Sequence, residues 1–418
     1  MYKWSDTDLA VREAIRDFIA KEIIPHVDGI EHGDEDPTPL IRKLFTTFGL
    51  DVMMTDQLNA SLDKERSGET GKQSGGGSGG MMGGAGQSMY YILISELCKV
   101  SMGIVTGFGV SLGLGVGTIR SRGTLAQKER WLPQLVTYEK VASWAITEPD
   151  SGSDAFGGMK TYVRRDGDDY ILNGQKTFIT NGPIADVMVV YAKLDEQDGT
   201  DPRDRKVLTF VLDKGMEGLE QSKPFKKMGL ASSCTGQLFF TNVRLTKDRL
   251  LGETEEHGGG DGRDSARSNF VAERTGVAVM ALGIIEECLR LSVDYAKNRV
   301  LWGKPISDFQ LIQLKLATME VARINVQNMV FRHLEMSAAG EQISLSEASA
   351  MKLYSSQAAT EVAMEAVQLF GGNGYMVEYR VEQLARDAKS LMIYAGANEI
   401  QVTHVAKGLL AASSAPRI

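Results

Sequence analysis

The stretch "YILNGQKTFITN", residues 170–181, has the short, β-branched and aromatic character of a strand ending in an Asn-Gly turn. "VMVVYAKL" (187–194), "KVLTFVLD" (206–213) and "GQLFFTNVRL" (236–245) repeat that character, with Gly, Asp and Asn turns between them. The runs are too close together to leave room for crossover helices, so a small antiparallel barrel or sandwich is expected rather than a parallel α/β sheet. Outward from this block the period changes. Residues 1–140 are helical in pattern. "DLAVREAIRDFI" sets Leu9, Ile15, Phe18 and Ile19 on one side, and further helices are expected over 89–102, 103–122 and 125–137. From about residue 266 long helices return, over 266–299, 308–339 and 345–370, as in a packed bundle. The expected fold is therefore α+β with several domains: an N-terminal helical domain (1–140), a central antiparallel β-barrel or sandwich (141–251), a polar linker (252–267) and a C-terminal helical bundle (268–418).

Composition excludes several classes. The chain has 418 residues, 43% hydrophobic and 24% charged, with a formal charge of −8, which gives no basic footprint for nucleic acid. The most apolar tract, "IVTGFGVSLGLGVG" (104–117), reads as too short and too glycine-rich to cross a membrane. The N-terminus starts as an amphipathic helix with no signal-peptide pattern. Cys98, Cys234 and Cys288 are scattered, and the five histidines do not cluster. Neither a disulfide framework nor a metal site is expected, and a cytoplasmic location is the simplest. Residues 67–88 form a glycine-rich, low-complexity insert. Its Gly-Gly-Ser-Gly-Gly (76–80) matches a nucleophile elbow only because glycine is repeated, with no strand before it. The glycines at 107, 109, 113, 115 and 117 are mis-spaced for a dinucleotide fingerprint and fit a small-residue helix face.

Four features carry chemistry. "WAITEPDSGSDAFGG" (144–158) concentrates hydroxyls, glycines and backbone N–H groups, which suits a flavin edge or a phosphate and equally a capped turn. "GQKTFITNG" (174–182) sets Phe178 beside Thr180, a ring that can cover a planar ligand next to a hydroxyl. "LFGGNGY" (369–375) has more glycine than a helix C-cap requires. On "NFVAERTGVAVMALGIIEECLRLSVDYA" (269–296), steps of three and four give the apolar stripe Val277, Met280, Ile284, Cys288 and Leu291, and one step back lands on Glu273. A carboxylate in line with a buried face needs a partner or a task; the alternatives are a salt bridge or compensation of the helix N-terminus.

Together "AITEPDSGSD", "GQKTFITNG", "AKNRVLWGKPISDFQ", "VQLFGGNGY" and "EYRVEQLARDAKSLMIYAGANEIQ" resemble the acyl-CoA dehydrogenase family, in the family's order and over nearly the whole chain. The resemblance implies a bound FAD, an acyl-CoA thioester substrate and removal of an α-proton and a β-hydride. By position it sets Trp144, Ile146, Thr147, Phe178, Ile179 and Thr180 along the flavin, Thr180 near N5, and Ser153 at cofactor or CoA phosphate. Arg299, Gln310, Gln368, Gly371 and Gly372 correspond to positions that hold the FAD of a neighbouring subunit, Trp302, Phe309 and Leu369 fall at cofactor-binding positions, and Ala397, Asn398 and Glu399 lie along the FAD. Phe270, Arg274, Tyr394, Ala395 and Gly396 fall at the substrate, with Arg274 at CoA. A homotetramer and an electron-transfer flavoprotein as electron acceptor are implied, while a hetero-oligomer stays possible.

Most of the family carries its catalytic glutamate where this chain has Ala395. A subset, including the isovaleryl-CoA and long-chain enzymes, carries it at the position of Glu273, which the stripe singles out independently. The base must be desolvated so that its pKa approaches the working pH, and the enolate oxygen needs preorganised donors. In this family one donor is the backbone N–H at Ala395, which losing a side chain leaves in place. Leu301 and Ala397 stand where hydroxyls are common, so the acyl preference stays open. Two other readings remain open here: an oxidase or flavin monooxygenase of the same fold, and a non-catalytic partner subunit.

Overall fold

A computed structural model describes residues 2–33, 35–68, 85–256 and 262–411. Most of the glycine-rich insert, with its 76–80 match, lies outside the described residues. The N-terminal part contains α1 (Asp6–Phe18), α2 (Val27–His32), α3 (Thr38–Thr47), α4 (Leu50–Arg66), α5 (Ala85–Cys98), α6 (Met102–Gly109), α7 (Gly117–Arg122) and α8 (Leu125–Val136). A capping box starts α1: Asp8 N–H donates to Ser5 Oγ at 3.1 Å, and Ser5 N–H donates to the Asp8 carboxylate at 2.9 Å. Ile15, Phe18 and Ile19 are buried as expected, but Leu9 is 37% exposed, because the buried face of the first turns passes through Asp8, one residue and about 100° round the helix from Leu9.

A π turn at Val110–Val116 joins α6 to α7, so helix runs without a break from Met102 to Arg122. Its 21 residues are long and apolar enough to cross a membrane by length and composition. The expectation that this tract is too short therefore fails on length. Burial assigns it to the core instead: 67% of its most apolar window is inside the protein. Gly115 shows how tightly it packs, since a Cβ there would stand 2.6 Å from Ala142 Cβ of the first strand.

The β part comprises β1 (Ala142–Ala145), β2 (Tyr162–Asp166), β3 (Asp169–Thr180), β4 (Val187–Leu194), β5 (Val207–Asp213), β6 (Leu219–Gln221) and β7 (Thr235–Leu245) in one sheet. β5 runs antiparallel along one edge of β4; the other edge takes β1 and then β2, both parallel. β3 continues the sheet antiparallel to β2 and β7, and β6 closes it. The sheet is thus mixed where an antiparallel one was expected. The β2–β3 hairpin, not a helix, makes the crossover from β1 to β4. Alternation explains why β4 is buried throughout: Met188, Val190 and Ala192 join a core inside the β layer, while Val187, Val189 and Tyr191 face the helical core.

The C-terminal part contains α9 (Gly262–Asn298), the hairpin β8 (Val300–Leu301) and β9 (Lys304–Pro305), α10 (Gln310–Ala338), α11 (Leu345–Phe370), α12 (Val381–Ser390) and α13 (Asn398–Ala411). α9 begins ahead of the boundary expected at 268, inside the polar linker. Tertiary packing extends it: Ala266 is buried, and Asn269 Nδ2 donates to Thr118 Oγ1 at 3.0 Å. Val277, Met280, Ile284 and Cys288 are buried as the stripe requires, and Leu291 is half-buried.

Candidate active site

Glu273 lies about three turns into α9, too far from its start for compensation of the helix N-terminus. Among the described residues its carboxylate has neither a hydrogen bond nor an ion pair, so the salt-bridge alternative fails as well. Part of its surface stays accessible although protein surrounds it, as for a group lining a cleft. Burial pushes its pKa up to about 7, against the pull of the Arg274 and Lys352 cations. Arg274 is itself buried: Nη1 donates to Ser349 Oγ at 2.9 Å, the guanidinium stands 5.5 Å from the Phe270 ring centroid, and Nε has no partner.

Facing these groups is the turn 394–398. Ala395 and Gly396 have φ of 57° and 83°, consecutive left-handed residues that aim their carbonyls inward. Gln401 Nε2 donates to the Ala395 carbonyl at 3.1 Å and the Gly396 carbonyl at 2.7 Å. Lys352 Nζ donates to the Gly396 carbonyl at 2.9 Å and to Asn398 Oδ1 at 2.8 Å. The N–H groups of Ala395, Gly396 and Ala397 have no partner among the described residues. A Cβ built at Gly396 would be 3.7 Å from Arg274 Nη2, so the turn and the Glu273–Arg274 pair share one site. Tyr394 closes the apolar side, with its hydroxyl 3.7 Å from Met280 Sδ.

A second wall stands on β1 and β3. The register of β3 against β7 shifts between Lys176 and Ile179, and Phe178, at φ 56°, is turned outward with 67% of its surface exposed. The half-buried hydroxyls of Thr147 and Thr180 have no partner among the described residues. Beneath them, fully buried Lys176 donates to the Ile146 carbonyl at 3.1 Å and to Glu148 Oε1 at 2.8 Å. Glu148 also accepts from the N–H groups of Lys160 at 2.6 Å and Thr161 at 3.0 Å. Burial alone would raise the Glu148 pKa; Lys176 and these donors bring it below the usual carboxylate value. An exposed ring beside unpaired hydroxyls on a braced loop fits the edge and face of a flavin. Trp144 is half-buried nearby, its Nε1 3.3 Å from the Tyr191 hydroxyl, and Ser153 is exposed.

The expected residues divide. Arg299, Trp302, Gln310, Gln368, Gly371 and Gly372 are exposed, with half-buried Phe309, on an edge of the helical part. Beneath the glycine turn that ends α11, Tyr295 stacks on Phe370 at 4.0 Å and accepts from Asn373 Nδ2 at 3.0 Å. No hydrogen bond or ring contact among the described residues joins this edge to the Phe178 wall. Three expected residues have side chains committed elsewhere. Ile179 packs inside the β layer, Leu369 in the helical core, and Asn398 binds Lys352 and Ser356, so Ile179 and Leu369 offer a ligand only backbone. Sequence reasoning missed Lys352, Gln401 and the Glu148–Lys176 pair. A signal for Lys352 existed: Ala348, Lys352, Ser355, Ala359 and Ala363 make a helical stripe, all fully buried.

Three family models match in succession: the acyl-CoA dehydrogenase N-terminal domain over residues 73–139, the middle domain over 143–243 and the C-terminal domain over 260–410. An acyl-CoA dehydrogenase of Bacillus subtilis is 34% identical over 96% of this chain and 97% of its own. The CarC subunit of the caffeyl-CoA reductase–Etf complex of Acetobacterium woodii is 32% identical over 95% of this chain and 97% of its own. Among solved structures, butyryl-CoA dehydrogenase of Megasphaera elsdenii superposes with a TM-score of 0.81 at 33% identity, covering 98% of this chain and all (100%) of that one. With its helical, β and helical parts in the same order, the chain belongs to the acyl-CoA dehydrogenase family and is an oxidoreductase of that type.

Proposed function

We propose that the protein converts an acyl-CoA thioester to its trans-2-enoyl-CoA with FAD as cofactor and Glu273 as the base. The α-proton leaves to the Glu273 carboxylate. FAD, when bound, would supply the acceptor for the β-hydride. One observation carries the reading: an unpaired carboxylate with a pKa raised to about 7 shares a site with a turn whose N–H groups are unpaired.

Each residue follows from that arrangement. A pKa raised to about 7 makes the ionised form of Glu273 a stronger base than an ordinary carboxylate while leaving it accessible near neutral pH. The Ala395 N–H donates to the thioester carbonyl as negative charge develops on it. Phe178 and Thr180 hold the cofactor ring at face and edge, and Trp144 and Thr147 border it. Arg274 sits where CoA enters. The exposed edge of Arg299, Trp302, Gln310 and Gly371 completes the cofactor site of a neighbouring copy, in a homotetramer. Electrons then pass to an electron-transfer flavoprotein, a partner class consistent with the Etf complex that contains the Acetobacterium relative.

The test is anaerobic bleaching of the bound flavin by straight, branched and bulky acyl-CoAs. Wild type should bleach with at least one class, and Glu273→Gln should not. Bleaching of Glu273→Gln at near wild-type rate would rule out Glu273 as the base. A folded, yellow Ala395→Glu, Glu273→Gly double variant should regain some bleaching, because both positions border the same carbon.

A further inference from the structure

We infer that Lys352 is a positioning residue of this site: from α11 its ammonium locks the Ala395–Gly396 turn, so that the free N–H of Ala395 is held toward the thioester beside Glu273. The inference rests on the reading of the site given above.

The local geometry is costly without such a task. Left-handed backbone is disfavoured at a residue with a Cβ, and Ala395 adopts it at φ 57° immediately before Gly396 at φ 83°. The turn survives because its inward carbonyls are captured by Gln401 from α13 and Lys352 from α11. Lys352 then clamps the far side of the turn through Asn398, whose Nδ2 donates to Ser356 Oγ at 3.0 Å. A wholly buried ammonium that bonds only neutral oxygens is a poor packing element, and a methionine would fill the same volume at lower desolvation cost. The ion earns its place only if its donors or its charge are needed.

Its charge matters too. Glu273 and Arg274 of α9 and Glu399 of α13 act on Lys352; Glu273 in turn feels Arg274 and Lys352 and acts on Tyr394 of the turn; His404 of α13 feels Arg274. Burial lowers the Lys352 pKa to about 8, so it remains mostly charged at neutral pH. One cation fewer beside Glu273 leaves burial less opposed, and the pH needed to ionise the base rises.

Lys352→Met and Lys352→Gln separate the two contributions. Crotonyl-CoA isotope-labelled at its carbonyl carbon is bound to the oxidised holoprotein, and its carbonyl stretch is read by infrared difference spectroscopy. Wild type should shift the band to lower frequency through the Ala395 N–H. Lys352→Met, folded and yellow, should lose most of that shift while binding the thioester within about threefold of wild type. Its bleaching rate should drop roughly tenfold to a hundredfold. Lys352→Gln, which can still donate to the Gly396 carbonyl, should keep most of the shift. Its bleaching profile should move up by on the order of one pH unit. An unchanged band and rate in Lys352→Met would overturn the inference. If that variant does not fold, an unchanged pH profile in Lys352→Gln overturns it. A wild type with no band shift removes the reading of the site, and this inference with it.

Discussion

Replacing Glu273 by glutamine keeps the side chain's size and removes its charge, so stability and catalysis should move in opposite directions. The folded protein holds the Glu273 proton up to about pH 7, whereas an ordinary glutamate releases it near 4.5. Below 4.5 the folded and unfolded chains are equally protonated here, and the site costs nothing. As the pH rises from 4.5 through 7, the unfolded chain releases this proton before the folded chain does, and stability is lost until both are ionised. At about 1.4 kcal/mol per pH unit, that loss has an upper bound of roughly 3.5 kcal/mol. Residual access to solvent brings the expected value to about half of that. Glutamine carries no such cost. At pH 8 the ligand-free Glu273→Gln holoprotein should therefore melt a few degrees above wild type, and at pH 4.5 the two should coincide. Bleaching by acyl-CoA should fall by at least about a hundredfold. A variant no more stable than wild type at pH 8 would show that the carboxylate is not desolvated and would refute the reasoning behind its basicity.

Three further outcomes follow from the packing. Lys176→Met leaves Glu148 buried with only backbone donors, which should cost about 3–5 kcal/mol in urea unfolding and lower the retained flavin; adding Glu148→Gln should recover much of the loss. Phe178→Ala removes an exposed ring, so the flavin-free protein should melt as wild type does, while FAD titration shows affinity weakened up to roughly tenfold. Gly283→Ala puts a Cβ 2.3 Å from the Ser95 carbonyl oxygen and 2.9 Å from Cys98 Cβ; forcing α5 and α9 apart should cost about 1–3 kcal/mol in the same unfolding assay.

What the sequence disclosed depended on whether a signal was local. The strands were legible because short β-branched and aromatic runs bounded by turn residues survive burial on both faces: Val187 to Leu194 is apolar apart from Lys193 and too short for a core helix. Strand direction was not legible, since the parallel pairing of β1 with β4 depends on where the β2–β3 hairpin docks. The α9 stripe pointed to Glu273 because large apolar residues flank it on the helical step. Lys352 occupies the same kind of position on α11, yet its neighbours on the step are alanine and serine, a fainter mark than the large apolar side chains of α9. The helix expected from residue 266 starts at Gly262, inside the linker read over 252–267, where the polar run 262–265 carries no apolar period to mark it. Trp302 and Phe309 could be singled out only through the family motif, being exposed or half-buried in this chain.

The division of labour around residues 394–398 explains why a chain with Ala395 need not lack a base. The turn holds two left-handed residues in succession, and its conformation depends on donors that reach it from α11 and α13. A long acidic side chain on such a turn would inherit every fluctuation of those supports. Glu273 instead projects from within α9, whose backbone is fixed by its own hydrogen bonds and by the buried stripe beyond it. With the proposed base on the helix, the turn would have only to present an N–H, which any residue other than proline supplies. A methyl side chain is then the smallest L-residue compatible with that task, and it keeps the cleft beside Glu273 open to the acyl chain. On this reasoning the requirement at 395 is conformational, the requirement at 273 is electrostatic, and Lys352 serves both.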